Sequence, residues 1–179
     1  VKPATISMAP AVLGSSVAVK VAKTPTPFAL DQLVVTLPDG TPIVKDNVAG
    51  DLTSVSMGEF IVSGVPGKQK ITTRFETEDV VSEFNVVKNF VKTLQVSPDI
   101  LDETQSSTGT VSLAYPAGVG GVVVKLSSSN AAVTVPALVT IPEGQVHATL
   151  SILTSEVTSS MRPVITAEYD GLYVNKPVT

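Results

Sequence analysis

Pro10-Ala11-Val12-Leu13 and Pro98-Asp99-Ile100-Leu101 lie 88 positions apart, and each follows a short apolar run, Ile6-Ser7-Met8 and Leu94-Gln95-Val96. Twice that offset nearly fills the 179 residues. The chain therefore reads as two consecutive modules of one size, 1–91 and 92–179. A module of that length is small, yet long enough to bury a core of its own.

Within both modules the apolar residues recur at every second position, the period of a half-buried strand. Val17, Val19 and Val21 are expected on one face of a strand, with Lys20 on the other. Ile71, Thr73 and Phe75 alternate in the same way, as do Val111, Leu113 and Tyr115. Val146, Ala148, Leu150 and Ile152 form another inward set, and Ile165, Ala167 and Tyr169 another. Leu172, Val174 and Val178 finish the second module. Turn chemistry punctuates these runs: Pro38-Asp39-Gly40-Thr41-Pro42, Gly64-Val65-Pro66-Gly67, Pro142-Glu143-Gly144 (spaced as in a type I turn) and Asp170-Gly171. Asp170-Gly171 is the strongest hairpin signal. No window of helical length carries an apolar stripe. Valine dominates the apolar mass, and only 4% of residues are aromatic. About seven short strands per module predict an all-β fold of two tandem β-sandwich domains.

The repeat is not uniform. Phe84–Val91 matches Leu172–Thr179 at the 88-residue offset, but Phe75 matches Tyr169 at an offset of 94. Loop lengths in such folds vary freely at the surface. Lys88-Asn89-Phe90-Val91-Lys92-Thr93 forms the joint and has no Gly, Pro or Ser run, which predicts a stiff tandem. Phe90 and Val91 either pack between the modules or cap the first core. Thr179 falls within a strand pattern, so the chain is expected to be a piece of a longer polypeptide.

The second module resembles a bacterial immunoglobulin-like repeat of long cell-surface and secreted proteins. The resemblance runs through Gly109-Thr110-Val111-Ser112-Leu113, Pro116-Ala117, Gly120-Gly121-Val122-Val123-Val124-Lys125-Leu126-Ser127-Ser128-Ser129-Asn130, Val135 to Gly144, and Ile165-Thr166-Ala167-Glu168-Tyr169. The first module shares the Pro-x-[Val/Ile]-Leu opening, the Pro-Asp-Gly-Thr-Pro turn and the Phe60, Pro66-Gly67, Ile71, Phe75 ending. It lacks the Gly-Gly-Val run and the Ser-Ser-Asn turn. The resemblance implies two tandem Ig-like β-sandwich domains that serve as spacer, stalk or adhesin modules, without catalytic residues, and an Ig-like segment of a phage or other particle appendage fits the same physics.

The residues exclude several chemistries. There is no cysteine, hence no disulfide, thiolate metal site or cysteine nucleophile. Net charge is −4, with −1 in the first half and −3 in the second, so no basic stripe invites nucleic acid. No apolar run approaches the ~18 residues of a membrane span, so membrane insertion is not expected. Asn-x-Ser/Thr does not occur. His147, the one histidine, is expected to face solvent, and no serine stands in a Gly-x-Ser-x-Gly elbow. Without tryptophan, paired carboxylates have no aromatic platform to hold a sugar for hydrolysis.

Acidic clusters are the remaining candidates. Glu76, Glu78, Asp79 and Glu83 crowd one hairpin, and Asp99, Asp102 and Glu103 follow the joint. Calcium takes six to eight such oxygens. The plainer reading is of solvated turns that guard strand edges, with no cofactor. The expected role is a non-catalytic spacer or adhesive stalk whose partners are neighbouring domains of the same polypeptide. The alternatives are an accessory domain of a secreted enzyme, or a module binding a host or cell-surface glycan or protein. Its binding residues would be the Ser127–Asn130 loop with Glu143-Gly144, a free strand edge, or the outward-facing Tyr173.

Overall fold

The computed structural model describes residues 6, 8, 10–23, 30–75, 78–100, 106–155 and 159–179. The chain divides into two compact units, Val1–Lys88 and Asn89–Thr179. The division falls ahead of the expected cut after Val91. Val91 is buried in the second core and pairs with Leu113. It belongs to the second core and does not cap the first. Phe90 is exposed.

Among its described residues the first unit has seven strands: β1 (Ala11–Val12), β2 (Ser16–Ala22), β3 (Leu30–Thr36), β4 (Pro42–Val48), β5 (Ser54–Ile61), β6 (Gly67–Phe75) and β7 (Glu78–Val87). One sheet runs β1-β7-β6-β3-β4 and the other pairs β2 with β5. Their inner faces meet in one core. Val19 and Val21 from β2 and Val55 from β5 pack with Leu33, Val35, Ile71, Phe84 and Val86 of the larger sheet. The period-2 valines drive this, because one sheet alone would leave its apolar face in water. Phe60 and Phe84 meet edge to face, with ring centroids 6.4 Å apart.

Among its described residues the second unit has eight strands: β8 (Val91–Ser97), β9 (Ser106–Leu113), β10 (Val122–Ser128), β11 (Val133–Thr134), β12 (Leu138–Ile141), β13 (His147–Thr154), β14 (Val164–Tyr169) and β15 (Leu172–Pro177). Two four-stranded sheets result, β12-β10-β14-β15 and β11-β13-β9-β8. Val124, Ile141, Ile165 and Ala167 from the first face Val111, Leu150 and Ile152 from the second. Both units are immunoglobulin-like β-sandwiches.

The sequence repeat has a structural counterpart. Ala11 and Val12, after Pro10, pair in parallel with Val86 and Val87 at the end of the last strand of their unit. Asp99, after Pro98, accepts a hydrogen bond from the Thr179 amide through its carbonyl. In both units the segment that opens with this proline thus lies at the edge of the sheet that holds the last strand. The Ser97–Pro98 peptide bond is cis. Upstream of that point in the second unit, β8 pairs antiparallel with β9.

The turns follow from backbone chemistry. Asp170 and Gly171 both have positive φ, 54° and 76°, between the paired residues Tyr169 and Leu172. That is the backbone of a two-residue hairpin whose twist matches the strands. Gly121 has φ of 80°, and a Cβ there would lie 2.7 Å from the Ile141 carbonyl oxygen, so the chain needs glycine at the start of β10. In Pro142-Glu143-Gly144 the Gln145 amide donates to the Pro142 carbonyl, and Gly144 has φ of 75°. Proline therefore opens the turn rather than occupying its second position, and glycine takes the positive-φ site that a type II turn demands.

Some inward expectations fail at strand ends. Tyr115 and Val146 are exposed because β9 stops at Leu113 and β13 starts at His147. Leu172 is exposed beside the hairpin turn. Val123, inside the apolar run Val122-Val123-Val124, faces out between two buried neighbours.

Candidate functional site

The acidic candidates offer oxygen ligands, and those whose side chains are described are held by cations of the protein. Asp79 sits near the start of β7 opposite Arg74 of β6. The guanidinium donates from Nε to Oδ1 at 2.7 Å and from a terminal nitrogen to Oδ2 at 2.8 Å. This two-bonded fork is the strongest geometry such a pair offers. Hydrogen bonding from Arg74 lowers the Asp79 pKa below the usual carboxylate range, and Asp79 in turn raises that of Arg74. Glu83 lies between Lys68 and Lys70, at 3.7 and 3.9 Å.

Asp99 uses two groups at once. Its Oδ2 accepts from Lys176 Nζ at 3.1 Å, and its carbonyl accepts from Thr179. Lys176 holds the Asp99 carboxyl below its ordinary value. The pair ties the segment after β8 to β15. Glu76, Asp102 and Glu103 lie outside the described residues, as does the side chain of Glu78. Among the described residues no three His, Cys, Asp or Glu side chains gather to hold a metal.

The proposed binding loops separate. The register Val122↔Ile141 puts Glu143-Gly144 beside Gly120-Gly121, and Glu143 Oε2 accepts from the Gly120 amide at 3.2 Å. The Ser127–Asn130 segment lies at the opposite end of β10, beside Ile165. Its side chains serve the backbone. Ser129 Oγ accepts from the Val164 amide at 2.8 Å, and Asn130 Oδ1 accepts from the Ala132 amide at 2.8 Å. These two segments therefore do not form one site.

Asn89 is the residue that the sequence did not single out. It is buried and makes four hydrogen bonds. Its Nδ2 donates to the carbonyls of Tyr115 and Pro116, at 2.9 and 3.2 Å, and its Oδ1 accepts from the amides of Phe90 and Tyr115, at 3.0 and 3.2 Å. It fastens the entry of the second unit to the segment after β9. A buried amide that uses all its capacity leaves no local sequence signature, since three of its four bonds go to backbone groups 26 and 27 positions away.

His147 is exposed and opposite Ser112. Tyr173 is exposed, opposite Glu168 on the outer face of its sheet. No described helix is long and apolar enough to cross a membrane.

No protein-family model matches the chain, and no curated protein matches it in sequence. Among solved structures it is similar to the Yersinia pseudotuberculosis adhesin InvE, at 13% identity and a TM-score of 0.43 over 98% of this chain and 57% of that one. It is similar to invasin, a bacterial integrin-binding protein, at 21% identity and a TM-score of 0.43 over 96% of this chain and 37% of that one. A third likeness is to domains 4 and 5 of the S-layer protein SbsC, at 16% identity and a TM-score of 0.39, covering 83% of this chain and 75% of that one. The chain spans little more than half of the first of these and about a third of the second.

Proposed function

We propose that the chain is a non-catalytic, metal-independent spacer pair of a longer extracellular or particle-surface protein. The observation that carries this reading is the junction. Only Lys88, Asn89 and Phe90 separate β7 from β8, and Asn89 is bound into the second unit by four hydrogen bonds. A link this short without Gly or Ser has little slack, which is what a module that sets the distance between its neighbours requires. The surface setting is supported by the resemblance of the second module to bacterial Ig-like repeats. Metal independence is supported by Asp79 and Asp99, whose carboxylates are already neutralised by Arg74 and Lys176.

Small-angle scattering with and without calcium tests the reading. A scattering curve and a melting point that calcium leaves unchanged are the expected result. A distribution of widely different shapes would overturn the spacer role, and straightening by calcium would overturn metal independence.

A further inference from the structure

One sheet face of the second unit differs from every other exposed sheet face described. On the outer side of β8, β9 and β13 the residues stand in rows. Gln95 is opposite Thr110, and Thr110 opposite Thr149. Ser97 is opposite Thr108, and Thr108 opposite Ser151. Five of these six are exposed and Thr110 is half-buried. None donates or accepts a side-chain hydrogen bond with a described residue.

No Asp, Glu, Lys or Arg lies on this face between Thr93 and Ser97, Ser106 and Ser112, or His147 and Leu153. Lys92 flanks it at a bulge. The contrast within the chain is sharp. Lys68, Lys70 and Glu83, and Arg74 and Asp79, cover the β6–β7 face, and Ser16 bonds Glu59 on the β2–β5 face. Lys125 lies opposite Glu168 on the other sheet of the second unit. Charges on exposed sheets keep other molecules off and hold water.

At the β11 side the hydroxyl face runs into an open groove of ≈ 410 Å³ lined by Thr134, Val135, Pro136, Ser151 and Leu153. Leu153 is 54% exposed. Adjacent rows repeat about every 6.8 Å along a strand and about every 4.8 Å between strands.

We propose that this face binds a neutral polysaccharide. Each hydroxyl offers one donor and two acceptor sites, and each is free of protein partners. A chain of sugars brings the same groups at a regular spacing, and the C–H faces of its rings match Leu153 and Pro136. Stripping water from hydroxyls costs far less than stripping it from charges, so a charge-free face suits an uncharged ligand. The net charge of −3 on the second half of the sequence disfavours an acidic polysaccharide. A second copy of the chain is a poorer occupant, because protein interfaces are depleted in serine and need apolar or aromatic anchors. Single contacts of this kind are weak, so retention relies on many contacts along one glycan. The spacer reading stands or falls separately, since a variant that loses the glycan keeps its scattering curve.

Affinity electrophoresis of the whole chain tests this, with dextran, mannan and soluble β-glucan as neutral probes and alginate as the anionic control. Retardation by at least one neutral polymer, unaffected by high salt, is the expected result. The double variant Thr110→Lys/Thr149→Glu is expected to migrate freely. Thr110→Val/Thr149→Val keeps the β-branched shape and weakens retention about tenfold by removing two hydroxyls; it decides the matter if the charged variant does not fold. No retardation by any neutral polymer overturns the proposal, as does retardation that survives both variants. So does binding to alginate that salt removes. Self-association in sedimentation that the charged variant abolishes would assign the face to a second copy instead.

Discussion

At the residue scale, stability rests on a few polar groups whose partners are fixed. Asn89→Ala leaves two carbonyls without their donor and two amides without their acceptor. It is expected to cost the second unit about 1–3 kcal/mol, read as a lowered denaturant midpoint. The acidic pairs act through pH. Asp79 and Asp99 have folded pKa values below the ordinary carboxylate range, chiefly through hydrogen bonds from Arg74 and Lys176. Their contribution is complete above the unfolded carboxylate pKa and is lost as pH falls through the lower folded value. Melting temperatures measured from neutral to strongly acid pH should therefore fall less steeply at the acid end for Asp79→Asn and Asp99→Asn than for the parent. Both pairs are exposed, so the change at neutral pH is expected to be small.

At the element scale, the hairpin between β14 and β15 is the plainest case of sequence dictating backbone. Gly171→Val puts a β-branched side chain at a φ of 76° and is expected to cost about 1–2 kcal/mol in equilibrium unfolding of the second unit. Alternation and turn residues made the strands readable, because burial on one face of a sheet imposes a period of two along the chain. Val19, Val21, Ile71, Leu150 and Ile152 all point inward as that rule requires. Their sheet partners were not readable. Whether β8 joins β9 or the far edge depends on contacts far apart in the chain, and so does the separation of the Ser127–Asn130 and Glu143-Gly144 loops. Strand ends misled for a related reason: periodicity continues past the last ladder bond, as at Tyr115 and Val146, where the backbone no longer holds the side chain over the core. Asp99 showed its charge in the sequence but not its partner, because Lys176 lies 77 positions away.

At the scale of the molecule, two separate cores imply two separable folding units. Residues 89–179 expressed alone are expected to fold, whereas 92–179, which lacks Asn89 and the Val91–Leu113 pair, should melt at a lower temperature. Calorimetry of Ile165→Ala should lower only the second unit's transition, by about 2–5 kcal/mol. The parallel pairing of β1 with β7 carries a further consequence for synthesis. Ala11 must wait for Val86, nearly the whole unit, to leave the ribosome before its sheet edge can close. β8 instead finds β9 a short way downstream. A nascent chain from which residue 113 has just emerged thus already holds the second unit's first antiparallel pair, whereas one from which Val86 has not emerged holds an open edge in the first. Synthesis therefore leaves the upstream module unclosed for most of its own length.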